Sequence, residues 1–174
     1  MSLAFARAQG ERLAIQSGGG RPPVDVRAVA KSLGMRIIEA ELGPSVSGLL
    51  VTSPGKQVSI CVQKDDSTTR KRFTIAHEIA HHVLGHQFEA GSHVHVDRGN
   101  FISQRGPRAS QGIDLKEIEA NQFAAALLMP SAWVRALVEA TEGHLVDQHV
   151  TELSQKFEVS EQAMTIRLTT LRLL

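Results

Sequence analysis

Thr74-Ile75-Ala76-His77-Glu78-Ile79-Ala80-His81-His82-Val83 holds the string His-Glu-Ile-Ala-His, and the rest of the chain is read outward from it. On a helix, residues four apart lie one above the other on the same face. His77 and His81 then converge on one point, at the separation a single divalent ion needs. Zinc takes neutral imidazole, and a catalytic zinc site joins three protein ligands to a water. Glu78 follows the first histidine directly, which places its carboxylate as a general base toward that water. The flanking residues Ile75, Ala76, Ile79, Ala80, Val83 and Leu84 are uncharged, as a helix buried behind an active site requires. Ser67, Thr68 or Thr69 caps its start and Gly85 marks its stop. The plainer alternative is an amphipathic helix with two surface histidines.

A third ligand has to come from a second, facing helix. Residues 114–130 place Ile118, Phe123, Ala126 and Leu127 at helical period and end on Pro130. Asp114 and Glu117 stand at capping-box spacing. Glu117 and Glu119 therefore compete for the metal. Glu117 has a structural job at the helix start, whereas Glu119 lies closer to the buried stripe, where a carboxylate needs a cationic partner. The residues alone lean toward Glu119 and leave Glu117 open.

Arg72-Phe73-Thr74-Ile75-Ala76-His77-Glu78-Ile79-Ala80-His81, followed by Glu119-Ala120-Asn121-Gln122-Phe123-Ala124-Ala125-Ala126-Leu127-Leu128-Met129-Pro130, resembles the ImmA/IrrE family of bacterial and phage metallopeptidases. Two separated motifs carry the resemblance, which runs from about Val24 to the C-terminus. It implies an α+β zincin-like fold, a Zn²⁺ cofactor, cytoplasmic action and a protein substrate that is typically a DNA-binding repressor. It also assigns the third ligand to the Glu before Ala-Asn, so that the implied Zn²⁺ site is His77, His81 and Glu119. His82 departs from the pattern, since the family often has a small or different residue there. Five positions from His77, it points off the metal face and is not expected to be a ligand.

Composition narrows the class. The 174 residues carry 19 basic and 18 acidic side chains, so no general affinity for polyanions follows. The lone cysteine, Cys61, excludes an internal disulfide framework and suits a reducing compartment. Within the alternating run Val58–Val62, it reads as a small core residue rather than a nucleophile. No apolar run is long enough to span a membrane. The first fifteen residues read as an amphipathic helix and not as a secretory signal, which points to a soluble, cytoplasmic protein.

Ser17-Gly18-Gly19-Gly20-Arg21-Pro22-Pro23 reads as a flexible break that separates this first helix from the rest. A helix is expected over Val24–Leu33 with Gly34 as its stop. Strands are expected over Met35–Ala40, Ser47–Thr52 and Gln57–Gln63, forming a small three-stranded sheet beside the metal helix. An edge of such a sheet can take an extended substrate by main-chain pairing. Beyond Pro130, Ser131 reads as the cap of a further helix anchored by Trp133, with a core or interface role.

The connection from Gly85 to Gly112 carries His86, His93 and His95 among several arginines, and Ser92–Val96 alternates like a short strand. Solvated loop histidines are the ordinary reading. The chain has no tyrosine, so a side-chain donor for the oxyanion of peptide hydrolysis has to be a His, an Arg or an amide, which makes His93 and His95 the candidates. Asn121 is a candidate for holding a metal ligand or the helix pair.

The last segment reads as helix, tight turn and a second helix capped by Ser160, a pattern resembling a helix-turn-helix. Lys156, Arg167 and Arg172 are balanced by Glu152, Glu158 and Glu161. A net-neutral module gains little from counterion release, so packing or substrate docking is favoured over DNA binding. The expected organisation is a metallopeptidase domain over residues 1–148 and a helix-turn-helix-like tail over 149–174 packed on it. The expected function is zinc-dependent cleavage of a repressor, catalysed by Glu78. The alternatives are a non-catalytic regulatory binding protein and the toxin component of a toxin–antitoxin pair.

Overall fold

A computed structural model of the chain describes residues 2–17, 19–43, 45–52, 55–86, 94–97, 111–141 and 145–174, with 94–97 and 111–114 as backbone only. The elements in order are α1 (Leu3–Gln16), α2 (Val26–Ser32), β1 (Arg36–Ala40), β2 (Gly48–Val51), β3 (Ser59–Gln63), α3 (Thr68–Val83), β4 (Val94–Asp97), α4 (Gln111–Leu128), α5 (Ser131–Glu139), α6 (Asp147–Phe157) and α7 (Glu161–Thr170). The architecture is α+β, as expected.

Local chemistry sets the boundaries. Asp25 caps α2 by accepting from the amides of Arg27 and Ala28, both at 3.0 Å, and Ser67 caps α3 by accepting from Arg70 at 3.3 Å. Gly34 and Gly85 end α2 and α3 at φ +74° and +65°, in the left-handed region that a β-carbon disfavours. The three expected strands form, and a fourth short strand joins them in the order β1-β3-β2-β4. β1 and β3 are parallel, while β2 runs antiparallel to both β3 and β4. Gly48 and Leu50 of β2 and Ile60 and Val62 of β3 are buried, the alternation of a sheet with one face on the core. Cys61 occupies the opposite face of β3 and is only partly buried, so it is not the core residue the alternation was read to give. Burial still raises its thiol pKa.

That buried sheet face packs on α3, and α3 packs in turn on α4. Glu39 on β1 accepts from Lys71 of α3 at 2.8 Å and pairs with Arg27 of α2. Lys71 first, then Arg27, hold its carboxyl below the usual carboxylate range.

The first helix is not separated from the rest. α1 lies along α4 through the buried residues Ala6, Gly10 and Ala14. A β-carbon at Gly10 would sit 2.4 Å from the carbonyl oxygen of Phe123, so glycine is what lets the two helix backbones approach this closely. The sequence break before α2 is therefore a turn in the chain and not a division of the core.

The tail shares that core. Leu153, Phe157, Val159, Met164 and Leu168 belong to the same buried cluster as Phe123, Leu127 and Ile79. Arg72 of α3 donates to the carbonyls of Glu158 at 3.1 Å and Phe157 at 3.4 Å, and pairs with the Glu158 carboxylate at 3.2 Å. Arg167 of α7 is 2% exposed and donates to Met129 O at 2.9 Å and to Glu11 Oε1 at 3.0 Å. Burial lowers the pKa of that guanidinium, with Glu11 acting against it. Glu11 Oε1 also accepts from the amide of Ser131 at 3.0 Å. Ser131 is thus the first residue of α5, not its cap.

Arg167→Ala should cost about 2 kcal/mol, the loss of charge-assisted hydrogen bonds plus a stranded Glu11 and Met129 carbonyl. Urea unfolding would show it, and a change below about 0.5 kcal/mol would mean that the tail is not tied to α1 and α4 this way.

Candidate metal centre

Eight consecutive residues of α3, Thr74 to His81, are buried. A helix enclosed on all sides is normally apolar all round, and here four of the eight are polar. They fall in two rows at i, i+4 spacing. His77 and His81 reach residues of α4. Thr74 and Glu78 lie against β2, where a β-carbon added to Gly48 would meet Thr74 Cγ2 at 2.4 Å and Glu78 Oε1 at 3.2 Å. Gly48 thus lets the strand pass directly over the fully buried Glu78.

On the α4 side, the Nε2 atoms of His77 and His81 are 3.0 Å apart. Glu117 spans them, with Oε2 at 3.1 Å from His77 Nε2 and Oε1 at 3.4 Å from His81 Nε2. Among the described residues these three form the group able to hold a metal, their donor atoms all within 4.8 Å of one another. The outward nitrogens are engaged elsewhere. His77 Nδ1 lies 2.9 Å from Asn121 Oδ1, and His81 Nδ1 lies 2.9 Å from His86 Nδ1. An amide oxygen only accepts, so His77 carries its proton on Nδ1 and offers a bare Nε2 to the centre. The separations of 3.0, 3.1 and 3.4 Å suit ligands about 2.0–2.2 Å from one tetrahedral cation, as zinc prefers. The donor set fits a divalent metal. The Glu117 side chain is 33% exposed, so the centre opens to solvent on that side.

The structure corrects the choice between the two glutamates. Glu119 does not reach the paired imidazoles; its Oε2 sits 3.1 Å from His86 Nε2. The reason is where the helix begins. α4 starts at Gln111, three residues before the expected cap at Asp114, so Glu117 has no capping duty and lies well inside the helix. Glu117 and Asn121 are then i, i+4 neighbours facing α3, one toward each side of His77. Glu119, two residues on, is rotated to a different face and is 5% exposed.

Asn121 does hold His77. His82 is exposed. His86, read as an ordinary loop histidine, is packed against His81 with ring centroids 4.9 Å apart. Burial lowers its pKa, with Glu119 acting against that. Gly85 followed by a histidine at the helix end was the signal for it. Trp133 is partly buried against the core. His93 lies outside the described residues, and His95 is described only as a β4 backbone position paired with Leu50.

A protein-family match to Peptidase_M78, described as an IrrE N-terminal-like domain, covers residues 30–169. It runs across the boundary expected at residue 148. Among solved structures, a Mycobacterium tuberculosis transcriptional regulator is similar, with TM-score 0.61 at 15% sequence identity. The match covers 95% of this chain and 47% of that one, so the chain spans about half the length of this relative. At that identity the likeness concerns the fold. No curated protein matches the sequence.

Gly48→Ala should destabilise the fold by about 1–3 kcal/mol, because the added methyl meets a β-branched side chain in a packed interior. A loss under about 0.5 kcal/mol in urea unfolding would show that β2 does not press on Thr74 and Glu78.

Proposed function

The chain belongs to the Peptidase_M78 family, whose members carry an IrrE N-terminal-like domain, and we propose that it is a zinc-dependent endopeptidase acting on a DNA-binding repressor. The observation that carries the reading is the convergence of His77 Nε2, His81 Nε2 and the Glu117 carboxylate, with the buried Glu78 next to His77 in the chain. His77, His81 and Glu117 would hold the metal. When bound, zinc supplies Lewis acidity and brings a water to near-neutral pKa.

The chain's own residues supply the remaining steps. The Glu78 carboxylate takes the proton of the attacking water and returns it to the leaving amine, a role its place directly after His77 supports. Asn121 and His86 keep the two imidazoles turned inward. The open side at Glu117 admits the peptide. β4 is the sheet edge nearer to β2, Gly48 and Glu78, and its main chain is suited to pairing with an extended substrate. Beyond Asn121, a cavity of about 360 Å³ lined by Arg70, Phe73, Ala125, Met129 and Ile166 offers room for a substrate side chain.

The repressor as substrate rests on the family resemblance and on the similar solved structure being a transcriptional regulator. Such a role places the protein in the cytoplasm; among the described residues no helix is long and apolar enough to cross a membrane. DNA contact through the tail is disfavoured. The exposed residues of α7 are Glu161, Gln162, Thr165, Ile166, Thr169 and Thr170, without a cation, and its one arginine is buried on Glu11.

Glu78→Gln should lower cleavage of a repressor encoded beside this gene by at least about 100-fold while the zinc content stays at the wild-type level. Removing metal with a chelator should abolish cleavage, and added zinc should restore it. Undiminished proteolysis by the Glu78→Gln protein would exclude the mechanism.

A further inference from the structure

His86 is placed by the way α3 ends. The positive φ of Gly85 turns the chain back, so that the Gly85 amide donates to His82 O at 3.2 Å and the His86 amide to His81 O at 3.0 Å. This pair of bonds is a Schellman closure. It carries the His86 ring over His81, against the buried Glu119 of the facing helix. The ring is 5% exposed and the Glu119 side chain 6%.

The hydrogen-bond roles along this line can be worked out from its carboxylate end. The Glu119 carboxylate only accepts, so His86 Nε2 donates to Oε2 across 3.1 Å. A neutral imidazole with its proton on Nε2 accepts at Nδ1. His86 Nδ1 therefore accepts a hydrogen bond from the Nδ1–H of His81 across 2.9 Å. With its proton held there, His81 has a bare Nε2, and that nitrogen faces Glu117 and His77. The reverse pattern, with the proton on His81 Nε2, would point a donor into the centre and block it.

We propose that Glu119, His86 and His81 form a two-link hydrogen-bond relay, in which Glu119 and His86 are positioning residues that fix the tautomer of His81 and so set the affinity of the centre for metal. The inference rests on the reading of His77, His81 and Glu117 as a metal site. It gives Glu119 a place one residue removed from the metal rather than on it. His77 Nδ1 meets the neutral amide of Asn121 and His81 Nδ1 meets His86, so the charged chain falls on His81.

The test is the zinc affinity of the full chain, measured by competition with a chromophoric chelator, for wild type, His86→Leu, Glu119→Leu and the double variant. His86→Leu should weaken binding by about 10- to 100-fold, the range seen when the hydrogen-bond partner of a metal-bound histidine is lost. Glu119→Leu, which removes the far end of the chain, should weaken it by about threefold or more in wild type. In the His86→Leu background it should add nothing, because the chain is already cut. Simple packing roles would instead give independent effects that multiply. Wild-type affinity in either single variant, or multiplicative losses in the double variant, would overturn the relay while leaving the metal centre intact. Failure of the wild type itself to bind zinc would instead overturn the metal centre, and the relay with it.

Discussion

Two buried imidazole nitrogens 3.0 Å apart, both turned toward one carboxylate, set the terms for everything around them. Bare nitrogen lone pairs and carboxylate oxygens at such distances repel one another, and burial removes the solvent that would screen them. A cation between them reverses the sign of each interaction. The surroundings are arranged to keep that demand in place. Asn121 and His86 take the outward Nδ1 atoms, and Glu78 adds a further carboxylate on the next row of the same helix.

Holding such a cluster requires α3 to be enclosed on all sides, and the packing shows how this is done. Gly48 removes a side chain where β2 crosses Thr74 and Glu78, and Gly10 removes one where α1 crosses α4. Ala76, Ala80, Ala120 and Ala124 are fully buried, small enough to let backbones close in. Arg72 and Arg167 act over longer range. Each uses one guanidinium to satisfy main-chain oxygen of a distant segment, at several carbonyls for Arg72 and at Met129 for Arg167, and each meets a glutamate at the same time. The tail thereby becomes a wall of the core. Its helix-turn-helix outline is a consequence of the left-handed Glu158 corner and the Ser160 cap, features that serve packing as readily as recognition.

Much of this was legible from residue order, and what was not has definite causes. The metal helix, its cap and its stop follow from i, i+4 spacing and from single residues, Ser67 and Gly85. The strands follow from alternation, although alternation alone does not say which face is covered, and Cys61 lies on the less buried side. The third carboxylate failed on helix phase. An aspartate followed three residues later by a glutamate is a genuine start signal, but α4 begins upstream at Gln111, and nothing local in residues 111–113 competes visibly with that signal. His86 was hidden for a different reason. Its role depends on a backbone reversal and on a partner 33 residues away, which no periodicity encodes. The packing of α1 was missed because a glycine-rich break says nothing about what lies on its two sides.

The two glutamates of α4 show how burial divides labour between identical side chains. Glu117, one-third exposed, stands at the open side of the cluster, where water softens its charge when no cation is bound. Glu119 is nearly enclosed, and an enclosed carboxylate is tolerated only with donors that do not leave. His86 is such a donor, because its backbone is locked by the end of α3. Interchanging the roles would put in the interior the carboxylate that relies on water when no cation is bound, raising its desolvation cost. Half a turn along one helix therefore separates a carboxylate fit to be a metal ligand from one enclosed behind it.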